Sequence, residues 1–110
     1  YSLGIKPDWW KLEPLASAAA WKNVDQIVAV NDPLCRGIVV LGLEAPEETI
    51  AAAFRAARLA PRVKGFAIGR TIFAEAFSQW LRGEIDDAGA TDEMASRFAR
   101  LCEAWRGAAR

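Results

Sequence analysis

Apolar positions along the chain fall into short extended runs and longer segments with helical spacing. Three runs rich in β-branched and aromatic residues, at about 5–13, 37–42 and 63–69, predict strands. Apolar residues at helical spacing predict helices over about 18–30, 46–60, 70–82 and 91–106. The order strand, helix, strand, helix, strand, helix, helix is typical of an α/β fold with a parallel sheet and right-handed crossovers.

Capping and turn residues support these limits. Ser17 is a suitable N-cap for the first helix, Pro46 stands in the first turn of the second, and Gly83 closes the third. The middle run, GIVVLG, shows no alternation of apolar and polar residues. Such a run indicates a strand buried on both faces, as in a parallel sheet.

Three parallel strands leave two open edges, and a closed barrel removes such edges. The pattern therefore fits either a small three-layer α/β domain or the last three βα units of a (β/α)8 TIM barrel. The chain starts at Tyr1 rather than Met, and YSLG is typical of the last turn of a helix that Gly4 closes. This start favours the barrel, and we expect residues 1–110 to be the C-terminal half of one, as a piece of a longer chain.

Composition narrows the function classes. The chain has 14 Lys+Arg and 14 Asp+Glu, so it lacks the basic excess that nucleic acids and acidic membranes attract. No apolar run approaches the ~20 residues of a membrane helix, and the absence of histidine removes most zinc sites and every His-based triad. We expect a cytoplasmic protein without a metal or other cofactor, in which Cys35 and Cys102 are reduced thiols.

The stretch PDWWKLEP carries the first candidate chemistry. Side chains alternate across a strand, so Lys11 and Glu13 share one face. If Trp10 and Leu12 face the helices, Lys11 points into the barrel near its C-terminal mouth. Desolvation disfavours a lysine ammonium, and a neutral amine can attack a ketone to form a Schiff base. Glu13 could pair with Lys11 or move protons for it; the alternative is a structural ion pair at the barrel rim.

The stretch GFAIGRT carries the second. Gly69 ends a strand, and Arg70 and Thr71 open a helix, whose N-terminus offers free N–H groups and a positive dipole end to a phosphate. Gly42 ends the preceding strand at the corresponding point, and barrels often build phosphate sites from the loops after their last two strands. The alternative is a tight βα turn with Arg70 solvated or paired to an acid such as Glu44.

Three blocks, GIKPDWWKLEP, CRGIVVLGLEAPEE and VKGFAIGRTIFAEAFSQWLRGEIDD, resemble the C-terminal aldolase-like domain of bacterial bifunctional 5-dehydro-2-deoxygluconokinases of myo-inositol catabolism. The resemblance covers nearly the whole chain. More distantly, the chain is similar to class I tagatose-1,6-bisphosphate aldolases. The resemblance implies a Schiff-base lyase that cleaves 2-deoxy-5-keto-gluconate 6-phosphate to dihydroxyacetone phosphate and malonate semialdehyde.

By this resemblance Lys11 matches the imine-forming lysine and Glu13 the acid two residues after it. Gly69 and Arg70 match the phosphate turn, with Gly42 near the same pocket by position. The loop GLEAPEE departs from the Ser/Gly-rich turn of the bisphosphate aldolases, which indicates a different substrate. The chain has no ATP-binding glycine motif, so any sugar-kinase domain, like the remaining barrel strands, would lie outside these residues.

Two alternatives to a lyase stay open at this point. One is a non-catalytic sugar-phosphate-binding or regulatory domain attached to a kinase. The other is a structural half-barrel that mediates assembly, for instance in a homo-oligomer, with Trp9, Trp10 and the strand edges as its interface. A lyase needs further acids and bases at the strand ends, whereas a binding domain needs only phosphate and hydroxyl contacts.

Overall fold

The computed structural model describes residues 1–107 as one three-stranded sheet and four helices. The strands lie in the order β1-β2-β3, and both neighbouring pairs are parallel. Their bounds are β1 Trp9–Leu12, β2 Gly37–Leu41 and β3 Val63–Ala67. The helices are α1 Ala18–Asn31, α2 Glu47–Ala57, α3 Arg70–Leu81 and α4 Asp87–Gly107. The predicted α/β fold with three parallel strands is confirmed.

The first strand is shorter than the predicted 5–13. Trp9, where β1 begins, pairs with Gly37, where β2 begins, so earlier residues have no strand beside them. Just before β1, the carbonyl of Asp8 accepts a hydrogen bond from the Arg36 amide at 2.8 Å. β2 and β3 likewise end before Gly42 and Gly69, and these two glycines lie in the loops that follow.

The last helix starts earlier than the predicted residue 91. The side chain of Asp86 accepts a bond from the Gly89 amide at 2.8 Å, and its carbonyl accepts one from the Ala90 amide at 2.9 Å. Asp86 therefore caps the helix, which begins at Asp87.

The buried core lies on one face of the sheet. Trp10 and Leu12 of β1 pair with Ile38 and Val40 of β2, and all four belong to one apolar cluster. From the helices this cluster receives Trp21 and Val28 of α1, Ile50 and Phe54 of α2, and Leu101 and Trp105 of α4. Ile72 of α3 also packs against this cluster, so all four helices lie on the same face and the described residues form two layers rather than three.

An irregularity in β3 brings two of its apolar residues to this core face. Val63 pairs with Ile38, but Gly65 rather than Lys64 pairs with the next residue, Val39. Lys64 is thus an extra residue, and its insertion lets both Val63 and Phe66 join the core. The Phe66 ring stacks on Phe54 of α2, with 5.1 Å between the ring centroids.

The opposite sheet face, which we call the open face, carries the alternate strand residues. It is formed by Trp9, Lys11, Val39, Leu41 and Ala67. Trp9 is 45% exposed, Lys11 is exposed, and Val39 and Leu41 are half-buried. The prediction that β2 is buried on both faces was therefore only half correct: its core-side residues are fully covered and its open-face side chains are not.

Candidate functional site

A cavity of about 250 Å³ lies at the carboxyl ends of the strands, and we call it the strand-end cavity. Residues from β1, the end of β2, the loop after β3 and the start of α3 line it together. Four of the five residues singled out from the sequence are among them: Lys11, Gly42, Gly69 and Arg70. Parallel strands explain this convergence, because their carboxyl ends meet at one edge of the sheet.

Lys11 reaches the cavity from the open face. Trp10 and Leu12 on either side of it pack into the core, so strand alternation turns Lys11 away from the helices, as expected. Glu13 follows the last residue of β1; it is exposed and is not among the residues that line the cavity. Within residues 1–107 no ion pair joins Lys11 to Glu13.

The turn after β2 has an unusual backbone. Leu43 and Glu44 have positive φ angles of 51° and 60°, and the Ala45 amide donates to the Gly42 carbonyl at 3.0 Å. Two consecutive positive φ angles are the signature of a type I′ turn, which favours Asn-Gly. A left-handed conformation costs a residue with a side chain roughly 1–2 kcal/mol. Strain of this kind is often found at functional sites, and here it lies at the rim of the cavity.

Arg70 is held by the neighbouring loop. Its guanidinium forms an ion pair with Glu44, the partner that the alternative interpretation of the GR turn named. The side chains of Arg70 and Glu44 are 64% and 53% exposed. Because solvent screens such a pair, its contribution to stability is about 0–1 kcal/mol. The pair is therefore weak enough for a ligand to displace it.

The start of α3 has backbone donors to offer. Gly69 stands at the N-cap without a side-chain cap, and its carbonyl accepts from the amides of Ile72 at 2.8 Å and Phe73 at 3.1 Å. The amides of Arg70 and Thr71 remain without an intrahelical acceptor, as at the start of any α-helix. Together with the helix dipole they favour an anion at this point.

A second cavity, of about 510 Å³, adjoins the first between the loop after β2, α3 and α4. Glu44, Arg70 and Thr71 line both cavities. The Thr71 hydroxyl oxygen is buried, and within residues 1–107 it has no hydrogen-bond partner. The sequence singled out Thr71 only as a helix-opening residue; its one signal was the position directly after Arg70.

Among the described residues, the charges that line the strand-end cavity are two cations, Lys11 and Arg70, and one carboxylate, Glu44. Glu44 is the acid that Arg70 already binds. An added ligand therefore meets an excess of positive charge and a cluster of hydrogen-bond donors. This arrangement suits a small anionic molecule that also carries polar groups.

The chain matches the family described as "Uncharacterized protein conserved in bacteria (DUF2090)" over residues 1–109. The chain belongs to this family. No curated protein and no solved structure matches it. The DUF2090 match supplies no activity, so the aldolase-like resemblance of the motifs stays a prediction.

None of the helices in residues 1–107 has the length and apolar character that crossing a membrane requires. That part of the chain contains no cluster of three His, Cys, Asp or Glu residues arranged to hold a metal ion. Cys35 and Cys102 are free thiols, as expected.

Proposed function

We propose that the chain forms the last three βα units of a (β/α)8 barrel and contributes Lys11 as the Schiff-base lysine of a class I lyase. The observation that carries the proposal is the shared cavity: an amine from β1, an arginine and a helix N-terminus line one space at the carboxyl ends of parallel strands. Barrel enzymes hold their active sites at this end. We further propose that the substrate is a phosphorylated ketose or keto acid.

The organisation of the sheet supports the barrel. Its helices α1, α2 and α4 cover one face only, as the outer ring of a barrel does. In residues 1–107 the outer edges of β1 and β3 pair with no further strand. Such edges are rarely left open in native proteins. Additional strands would pair with them and enclose the open face as the barrel interior.

The chemistry starts with Lys11. The lone pair of its Nζ attacks the substrate ketone, and loss of water gives an imine, which is protonated to the iminium. A base removes the proton from the hydroxyl on the carbon β to the iminium carbon. The bond between the α and β carbons then breaks, its electron pair moves toward the iminium nitrogen to give an enamine, and an aldehyde leaves. Protonation of the enamine and hydrolysis release the ketone product and return the amine.

Arg70, the backbone of Gly69 and the start of α3 would hold the phosphate group of the substrate. Gly42 allows close approach at the end of β2, where a longer side chain would meet Ile68. By the motif resemblance Glu13, directly after β1, is the proposed proton carrier, although among the described residues it does not line the strand-end cavity. Following the motif resemblance, the proposed substrate is 2-deoxy-5-keto-gluconate 6-phosphate, with dihydroxyacetone phosphate and malonate semialdehyde as products.

A second candidate function is non-catalytic binding of a sugar phosphate, as in a regulatory domain attached to a sugar kinase. Among the described residues that line the strand-end cavity, Glu44 is the only carboxylate, and Arg70 engages it. Phosphate binding needs no acid or base, and the donors around Arg70 and Thr71 are sufficient for it. This reading requires no imine at Lys11.

Borohydride trapping separates the two functions. The full-length protein is incubated with dihydroxyacetone phosphate, reduced, and analysed by intact mass and peptide mapping. We expect a covalent adduct on Lys11 in the wild-type protein and in Lys64→Ala. The Lys11→Ala variant should form no such adduct. Lys64 is a suitable control, because it is an exposed lysine of β3 that does not line the cavity and donates to the Pro61 carbonyl at 2.7 Å. Phosphosugar binding without an adduct would reject the lyase and favour the binding domain.

A further inference from the structure

We propose that Glu44 is an internal competitor for the phosphate site: its carboxylate binds Arg70, and the phosphate group of a ligand must displace it. This inference rests on the proposed phosphate site at Arg70. It goes further by assigning to the chain an internal competitor for that site. Glu44 would thereby set how strongly the cavity takes up small anions.

The first support is the position of the ion pair. Glu44 lies in the loop after β2 and Arg70 is the first residue of α3, and both line both cavities. A carboxylate is the side chain that best imitates an anionic ligand at a guanidinium, since both accept charge-assisted hydrogen bonds from its N–H groups. The pair therefore shows that Arg70 can bind an anion, and also that Glu44 already occupies this binding group.

The second support is the backbone of the turn. Glu44 is one of the two adjacent residues with positive φ and is a poor residue for that conformation. A glycine or asparagine would form the same turn without the strain, but neither could bind Arg70 as an anion. The turn thus keeps an unfavourable residue at the point where its charge meets the cavity.

The third support is the exchange that a ligand offers. A phosphomonoester carries a charge of about −1.5 to −2 at neutral pH and three acceptor oxygens. It can bind the Arg70 guanidinium and also the free amides at the start of α3. Glu44 offers Arg70 a single carboxylate. A phosphate therefore replaces the internal pair with more bonds than it breaks.

The expected size of the effect follows from the exposure of the pair. The apparent affinity for phosphate equals the intrinsic affinity multiplied by the fraction of molecules in which Arg70 is free to bind it. An exposed pair of this kind populates its bound form up to about five-fold over the free form. Removing the Glu44 charge should therefore tighten phosphate binding roughly two- to six-fold.

The test is a titration of the full-length protein with inorganic phosphate, followed by calorimetry and by the NMR signal of the Arg70 Nε–H group. Glu44→Gln removes the charge and keeps a similar shape. Glu44→Asn removes the charge and suits a left-handed backbone, so it serves if the first variant folds poorly. Glu48→Gln is the matched control, because Glu48 is an exposed acid of α2 that lines neither cavity.

Roughly two- to six-fold tighter binding in both Glu44 variants, no comparable change in Glu48→Gln, and loss of binding in Arg70→Gln would support the inference. Unchanged affinity in the Glu44 variants, with Arg70-dependent binding intact, would overturn it and leave the phosphate site standing. An equal gain in Glu48→Gln would reduce the effect to general charge and also overturn it.

Absence of Arg70-dependent phosphate binding in every variant would reject both the inference and the phosphate part of the proposed function. In that case, borohydride trapping with unphosphorylated dihydroxyacetone, compared between wild type and Lys11→Ala, separately decides whether the Lys11 chemistry stands.

Discussion

Arg70, the first residue of α3, is ion-paired to Glu44, the second left-handed residue of the turn after β2. The pair joins two consecutive βα loops across the carboxyl end of the sheet. It links a strained turn, a helix N-terminus and a cavity that also contains Lys11.

Relief of the turn strain should raise stability. Leu43→Asn places a residue that tolerates positive φ where Leu43 has a φ of 51°. We expect the free energy of unfolding to rise by about 0.5–1 kcal/mol, because the relieved strain exceeds the loss of a half-exposed side chain. Chemical denaturation measures the change. Leu59→Asn is the control, since Leu59 is 71% exposed and has no positive φ; an equal or larger gain there would contradict the strain argument.

A methyl group at Gly42 should disturb the cavity wall. A Cβ atom at this position would lie 2.9 Å from Cγ2 and 3.0 Å from Cγ1 of Ile68, which lines the cavity. We expect Gly42→Ala to cost about 1–3 kcal/mol by overpacking and to weaken phosphosugar binding. At Gly65 an added Cβ meets no atom of residues 1–107 within 4 Å. Gly65→Ala should therefore leave binding unchanged, and equal losses in the two variants would show that Gly42 has no special role.

The bond between Asp25 and Arg62 should matter for folding rather than for the site. Asp25 is 8% exposed, and its carboxylate accepts from the Arg62 amide at 2.8 Å and from the Arg62 guanidinium at 3.0 Å. Asp25→Ala leaves that amide without an acceptor, so we expect a loss of about 1–3 kcal/mol. Asp25→Asn keeps an acceptor oxygen and should lose less.

Thermal unfolding of both Asp25 variants, beside Asp92→Ala at an exposed position of α4, measures this difference. The exposed substitution should stay within about 0.5 kcal/mol of wild type. A loss in Asp25→Asn as large as that in Asp25→Ala would mean that charge, rather than the hydrogen bond to the amide, is what counts.

The pair between Glu47 and Arg100 should make stability depend on pH. Hydrogen bonding to Arg100, which joins α4 to α2, lowers the pKa of Glu47 below its ordinary value of 4.5. A lowered pKa in the folded state means that the stabilisation is present above the unfolded pKa and is lost as the pH falls through the folded pKa. Solvent screens the pair, whose side chains are 35% and 47% exposed, so the effect should be small.

Unfolding curves of wild type and Glu47→Gln at pH 7 and at pH 3 measure this pair. At pH 7 we expect wild type to have a higher free energy of unfolding than Glu47→Gln. This difference between the two proteins should shrink at pH 3 and in 1 M salt. Glu48→Gln, a neighbouring position without such a pair in the described residues, should show no comparable dependence. A gap that persists at pH 3 would indicate a packing effect instead.

Much of the fold could be predicted from local patterns. Ser17 caps α1 as expected, its hydroxyl accepting from the Ala20 amide at 3.2 Å. The ends of the strands could not be predicted in this way, because a strand continues only where a neighbour pairs with it. β1 therefore starts at Trp9, opposite Gly37, and not at residue 5.

The candidate site was partly predictable for the same reason. Strand alternation assigned Lys11 to the face away from the helices, and the parallel order brings Gly42, Gly69 and Arg70 to its end of the sheet. The left-handed turn at Leu43 and Glu44 carries no Asn or Gly signal, so its shape could not be foreseen. Glu13 was grouped with Lys11 by alternation, but β1 ends at Leu12, and Glu13 is not among the residues lining the cavity.

The sequence by itself determined the order of elements, the parallel α/β class and the strand face on which Lys11 lies, because these follow from residue preference and from the period of side-chain direction. Only the tertiary structure decided which face of the sheet the helices cover, where each strand stops, and that Glu44 binds Arg70 at the mouth of the strand-end cavity. These features depend on contacts between segments far apart in the chain, and no local pattern records them.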